Sequence, residues 1–222
     1  MNRFLVALVL SASSLSAQAA TVTVTAMGTV SEVFDPDNLL PFDPLVVGQT
    51  PGLMTFKYDD QTPATLSSSL SLAFYDTGET MTITLGNSAV SDDPMTITMW
   101  DDWESSSTPG IYRDTWQASA ATRQFNSPMP DILFSTDFIL STSGSTPPIS
   151  TLSSSDLVKP EWPNGWSEGW FQYLIFSQPQ GTSDVNVLAR VKVNVETLSA
   201  VPIPTAFWLF GSALGLLGWI RR

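Results

Sequence analysis

The sequence contains no cysteine and no histidine. Without cysteine, neither disulfide bonds nor thiol catalysis are available to the chain. Without histidine, it lacks the commonest general base and the commonest transition-metal ligand, which excludes Ser-His-Asp, Cys-His and histidine-zinc sites. Any hydrolytic activity would have to depend on carboxylates. We therefore predict a non-enzymatic protein.

Positive charge is also scarce. The chain carries 9 Lys and Arg residues against 21 Asp and Glu residues, a formal net charge of −12. A surface of this kind repels nucleic acid and anionic lipid head groups, whereas it suits solvent, cations and neutral sugars. We expect no nucleic-acid partner.

Between residues 20 and 200, no stretch shows a sustained helical period of apolar residues. Apolar and polar residues alternate instead, most regularly at residues 185–196, where Leu188 is the one apolar residue at an even position. The same alternation occurs at residues 81–85 and 95–99, and it is the period of a half-buried strand. Further strand candidates are residues 21–24, 53–58, 70–74, 111–118, 132–140 and 169–176.

This pattern predicts an all-β domain at residues 20–200. About eight to ten short strands, separated by Pro, Gly, Asn and Asp turns, fit an antiparallel β-sandwich of jelly-roll type, because two packed sheets bury one face of each strand. A closed barrel is the alternative. Residues 35–51 and 141–156 are predicted to be long loops.

The amino-terminal segment, residues 1–19, has the features of a secretory signal. Arg3 precedes an apolar stretch that runs to Leu10, and Ala17-Gln18-Ala19 forms a small-x-small cleavage site. We predict a signal helix, export of the body, and a mature chain that begins at Ala20 or Thr21. The alternative is an amphipathic helix of a cytoplasmic protein.

The carboxyl-terminal segment is apolar and ends in two arginines. Residues 206–220 carry no charge and would span roughly 22 Å as a helix, against a bilayer core of about 30 Å. Residues 201–205 lengthen the segment, while Arg221 and Arg222 can reach the head groups and should remain in the cytoplasm. We predict a single transmembrane helix, the alternative being a buried terminal helix.

The order of features in residues 201–222 is distinctive. Val201-Pro202-Ile203-Pro204 is followed by an apolar run and then by Arg221-Arg222. This order resembles the PEP-CTERM protein-sorting signal of Gram-negative bacteria, in a V-P-x-P variant with Ile203 where Glu is usual. The sorting residues matched in this way are Val201, Pro202, Pro204, Arg221 and Arg222.

The resemblance implies a processing pathway. In the family, an exosortase, which is a membrane transpeptidase, recognises the proline motif and removes the tail. The precursor would then sit in the inner membrane and the mature protein at the cell surface or in the extracellular matrix, often in association with exopolysaccharide and biofilm. The chain accordingly divides into a signal peptide (1–19), a β-sandwich domain (20–200) and a sorting signal (201–222).

Five of the eight tryptophans form two groups, Trp100 with Trp103, and Trp162, Trp166 and Trp170 at intervals of four. Pro163 and Gly165 favour a turn between the latter over a helix. Indoles exposed in a loop can stack on sugar rings, so all five are candidate contacts to a matrix polysaccharide. The alternative is that they cover the end of the core.

Acidic residues provide the remaining candidates. Asp101, Asp102 and Glu104 offer the oxygen ligands that Ca²⁺ requires, although acids in solvated turns are the alternative explanation. Paired carboxylates can also hydrolyse glycosides without histidine, with Glu104, Glu161 and Glu168 as candidates. We predict no enzymatic activity, and calcium is the one cofactor considered.

Overall fold

The computed structural model describes residues 20–69, 72–104, 109–124, 131–144, 157–178 and 185–203. No residue of this part is helical, so no helix within it is long and apolar enough to cross a membrane. The predicted signal helix at residues 1–19 and the predicted membrane helix at residues 206–220 lie outside the described residues.

The described residues form eleven strands. In chain order they are β1 (Thr21–Phe34), β2 (Pro51–Asp59), β3 (Leu66–Ser69), β4 (Leu72–Asp76), β5 (Met81–Leu85), β6 (Ser88–Asp92), β7 (Met95–Glu104), β8 (Tyr112–Gln124), β9 (Asp131–Gly144), β10 (Glu168–Gln178) and β11 (Asn186–Ile203). The prediction of an all-β domain is confirmed.

All eleven strands belong to one antiparallel sheet, in the order β3-β4-β7-β8-β9-β10-β11-β1-β2-β5-β6. Strands β7 to β11 form a meander, and β11 then pairs with β1. Strand β11 thus lies between β10 and β1. The antiparallel prediction is confirmed. The predicted jelly roll divides its strands between two sheets, whereas the described strands form one curled sheet.

The sheet curls so that its inner face packs against itself as in a sandwich. Phe56 of β2 stacks on Trp116 of β8 at a centroid distance of 5.9 Å, and Phe138 of β9 lies 5.8 Å from Trp116. In the sheet, β10, β11 and β1 separate β9 from β2. Because these rings are nevertheless in contact, the hydrogen-bonded surface must bend through those three strands.

The alternation predicted for residues 185–196 is interrupted once. Ala189 and Val191 are buried as predicted, whereas Val187 is exposed. The cause is a bulge, since Ile175 pairs with Ala189 and Phe176 pairs with Val187, which leaves Leu188 without a register partner. Leu188 is also the residue that breaks the alternation in the sequence.

One end of the curled sheet is covered by residues 35–50. Leu40, Phe42 and Leu45 of this segment pack against the core, and the Phe42 ring meets Tyr173 edge-on at 5.4 Å. The turn that directs them inward is fixed by Asp35, whose carboxylate accepts hydrogen bonds from the amides of the fourth and fifth residues after it. The predicted loop therefore packs onto the hydrophobic core through these three side chains.

The other end is covered by residues 157–167. The carbonyl oxygen of Val158 accepts hydrogen bonds from Trp116 Nε1 at 3.0 Å and from the Tyr58 hydroxyl at 3.4 Å. Burial, reinforced by the nearby Asp60 carboxylate, raises the pKa of Tyr58, so the hydroxyl stays protonated and available as a donor. Two buried aromatic side chains are thereby tied to one backbone oxygen.

Strand β6 was not predicted. It contains Val90 as its one large apolar residue, which is too weak a pattern to reveal an edge strand. The Gly86-Asn87 dipeptide between Leu85 and Ser88 is a two-residue hairpin turn, with Gly86 at a φ of 58°. That turn was the signal in the sequence that could have identified β6.

Replacement of Phe138 by alanine should destabilise the protein by about 3–5 kcal/mol, because it empties a fully buried site against Trp116. Phe134→Ala is the matched control, since Phe134 lies on the same strand and is only partly buried, with an expected cost of about 1–2 kcal/mol. Urea unfolding of both variants measures the difference. Equal costs would contradict the burial of the Phe138 ring against Trp116.

Candidate functional site

Polar and aromatic side chains form a row across four strands on the outer face of the sheet. Trp100 of β7 pairs with Thr115 of β8, Thr115 with Ser141 of β9, and Ser141 with Glu168 of β10. Because register partners point to the same face, these four side chains lie side by side away from the core. They come from four separate segments of the sequence.

A second row runs parallel to the first. Gln117 of β8, Ile139 of β9 and Trp170 of β10 are successive register partners, two residues along each strand from the first row. The two rows enclose a groove of about 350 Å³. Trp100 and Trp170 stand on strands three positions apart, about 14 Å across the sheet, so the groove is longer than a single sugar ring.

Charged groups flank this groove. Arg113 and Glu168 line it and are both exposed. Two ion pairs occur within the described part of the chain, Lys159 with Glu161 and Arg190 with Glu32, and Arg113 takes part in neither. Lys192 Nζ lies 4.6 Å from the centroid of the Trp170 ring, a cation–π contact that holds the indole in place.

The five tryptophans predicted to contact sugar do not share one surface. Trp100 and Trp170 are half-buried and line the groove. Trp166 is only 8% exposed and belongs to the core. Trp162 also packs against the core, as the alternative interpretation held. The side chain of Trp103 lies outside the described residues.

Local structure explains why the spacing of four failed to group Trp162, Trp166 and Trp170. The Trp166 amide donates to the carbonyl oxygen of Pro163, which closes a turn and directs Trp166 inward just before β10 begins. The Trp162 ring covers Gly169, where a Cβ atom would lie 2.7 Å from it. Glycine is therefore required beneath this ring, and only Trp170 reaches the outer face.

Three carboxylates form a separate cluster at the end of β7. Ligand atoms of Asp101, Asp102 and Asp114 all lie within 4.8 Å of one another. A bulge between Trp100 and Trp103 produces this arrangement, with Asp102 at a φ of 50° and its amide donating to Asp114 Oδ1 at 2.8 Å. Sequence reasoning missed Asp114, which lies on β8.

The cluster differs from the predicted calcium ligands. Glu104 is not a member, and its carboxylate accepts a hydrogen bond from the Gly110 amide at 2.8 Å. Burial, followed by repulsion from Asp114 and Asp102, raises the pKa of Asp101 to about 6. Oxygen ligands so placed can hold a hard cation, because a cation would relieve this repulsion. Calcium binding stays a prediction.

The carboxylates considered for glycoside hydrolysis have different surroundings. Glu161 pairs with Lys159 at 3.8 Å and accepts a hydrogen bond from Asn164, while Glu104 is bonded to Gly110. Among the described residues that line the groove, Glu168 is the one carboxylate. Glycoside hydrolysis normally requires a pair of carboxylates, and the described lining of this groove provides one.

Comparison of this chain with protein-family models, with curated proteins and with solved structures finds no match. Two features of the molecule bear on its function, namely the groove on the outer face and the positions at which the chain enters and leaves the sheet.

The raised pKa of Asp101 predicts a pH-dependent stability. Because the folded state binds this proton more tightly than the unfolded chain, the stabilising contribution is complete below about pH 4 and is lost as the pH rises through about 6. In Asp101→Asn this loss should be absent. Thermal unfolding between pH 4 and 7 measures it, with the exposed Asp76→Asn as control, and parallel profiles for wild type and Asp101→Asn would refute it.

Proposed function

We propose that the protein is an exported, non-enzymatic surface protein whose carboxyl-terminal signal holds it in the inner membrane until an exosortase-like transpeptidase processes it. The observation that carries this proposal is the pairing of Thr21 with Ile203 on neighbouring strands β1 and β11. The segments at residues 1–19 and 204–222 therefore continue from adjacent positions of one sheet end.

This adjacency matters because paired residues in an antiparallel ladder lie about 5 Å apart. A signal and a tail that continue from such positions can both enter the same membrane while the body folds on the exported side. Departure from opposite ends of the sheet would place one of them a full strand length away. The geometry thus supports a common membrane for the two apolar segments.

The first residues of the sorting motif belong to the sheet. Strand β11 continues to Ile203, so Val201 pairs with Thr23 and Pro202 pairs with Val22. Proline lacks the amide donor, which makes it a weak member of a ladder. We propose that the transpeptidase acts where the chain leaves this ladder, at Pro204, or on Val201 and Pro202 before the ladder closes.

The second candidate function is binding of a matrix polysaccharide in the outer groove. Indoles at Trp100 and Trp170 provide apolar faces for sugar rings, and Thr115, Gln117 and Ser141 between them provide donors and acceptors for hydroxyls. The two functions are compatible, because the groove lies on the solvent face of the sheet.

Processing predicts loss of the tail. The full chain, tagged at its carboxyl terminus, should lose the tag in a host that contains a matching exosortase and keep it in a host without one. Immunoblots of membrane and surface fractions measure the outcome, and the double variant Pro202→Ala, Pro204→Ala should retain the tag. A tag that remains on the mature protein in both hosts would exclude processing.

Glycan binding predicts a loss of affinity in Trp100→Ala and in Trp170→Ala. Each substitution removes one apolar face worth about 1.5–3 kcal/mol, so the dissociation constant should rise at least about tenfold. Calorimetric titration with neutral and acidic oligosaccharides of several rings provides the measurement. Phe34→Ala, an exposed aromatic substitution outside the groove, should bind normally. Failure of every oligosaccharide to bind wild type would rule out this function.

A further inference from the structure

The amino-terminal end of the sheet contains a carboxylate that faces the predicted cleavage position. The Ala20 amide nitrogen donates to Asp60 Oδ1 at 3.0 Å, and the Ala20 carbonyl oxygen accepts from the Asp60 amide at 3.2 Å. These two bonds continue the ladder between β1 and β2 beyond the pair formed by Thr21 and Asp59. Ala20 is thus held although it precedes the strand.

We propose that signal removal cuts the Ala19–Ala20 bond and that the new ammonium group of Ala20 forms an ion pair with Asp60. In this hydrolysis, the oxygen of water bonds to the Ala19 carbonyl carbon and the carbon–nitrogen bond breaks. The released amine takes up protons to become an ammonium group, while the signal peptide ends in a carboxylate. The proposal rests on export, as proposed above.

The position of the cut follows from two independent observations. A cut after Ala19 places alanines at both small positions of the cleavage site, whereas a cut after Ala20 would place Gln18 at one of them. A cut after Ala20 would also remove both hydrogen bonds to Asp60. Among the described side chains, Gln61 would then remain as a donor to the Asp60 carboxylate, through Nε2 at 3.3 Å.

The ion pair would lie at the sheet end from which the tail continues, where the proposed transpeptidase removes that tail. Residue Ala20 adjoins Thr21, the partner of Ile203 at the end of β11. Hydrogen bonds become shorter and stronger when the donor is charged. Signal removal would therefore fasten the first strand against β2 at the same sheet end from which the tail continues.

The experiment uses the full chain exported in a Gram-negative host and purified in detergent. Amino-terminal sequencing of wild type should give Ala20 as the first residue. Thermal unfolding is then compared for Asp60→Asn in two backgrounds, the processed chain and an Ala19→Leu chain that keeps its signal. Asp60→Asn should lower the Tm of the processed form by about 2 °C more than that of the uncleaved form.

Two controls isolate the ion pair. Asp59→Asn removes a neighbouring carboxylate that bonds to the Gln61 amide, and its cost should be the same in both backgrounds. A glycine inserted between Ala19 and Ala20 moves the ammonium group one residue away and leaves Asp60 intact, so it should lower the Tm of the processed form by a similar amount. This insertion tests the pair even if Asp60→Asn fails to fold.

The outcomes separate this inference from the proposed function. A mature chain that begins at Thr21, or an Asp60→Asn cost that is equal in the two backgrounds, would overturn the ion pair and leave export intact. A wild-type chain that retains residues 1–19 after expression would instead overturn export itself. Ala20 at the terminus with the larger cost in the processed form would support both.

Discussion

The structure depends on the contact between the two halves of one sheet's inner face. Phe56 on β2 reaches Trp116 and Phe138 on β8 and β9, although three strands lie between these halves in the hydrogen-bonded order. Burial of such rings removes large apolar areas from water and drives the sheet to curl. Once it has curled, alternate residues on every strand are assigned to the inside or to the solvent face. The groove exists because this assignment places Trp100 and Trp170 outside.

Curling also determines where the ends of the body meet. Strand β11 lies between β10 and β1, so it is the strand through which the meander of β7 to β11 is hydrogen-bonded to β1. Non-local pairing of this kind is slow, because loop closure must precede the favourable contacts. In the proposed topology the tail continues from the end of β11, so this pairing would close at the sheet end that lies next to the membrane.

The sequence allowed nine of the eleven described strands to be found, all but β3 and β6, but it did not reveal their partners. Alternation identified residues 81–85 and 95–99 because their inward positions are all buried, and it failed at Ser88–Asp92, which has too few apolar residues. The residues of the groove were harder to predict, because only strand pairing brings them together. Trp100 and Trp170 were candidates, but Thr115 and Ser141 joined them only through the register of β8 and β9. Asp114 likewise became a neighbour of Asp101 through a bulge that no periodicity reveals.

For the polysaccharide proposed to bind the groove, the surrounding charge favours a neutral chain over an acidic one. At physiological salt, charges act over about 8 Å, so the net charge of the whole body matters less than the groups beside the groove. Glu168 lines the groove, and the Asp101 and Asp102 carboxylates follow Trp100 directly in the chain, whereas the nearby cations are Arg113, which lines the groove, and Lys192, which lies against the Trp170 ring. An acidic sugar would gain from the two cations and lose to the three carboxylates. Stacking on indoles and hydrogen bonds to hydroxyls carry no such cost, so a neutral glycan can use all of the polar groups present.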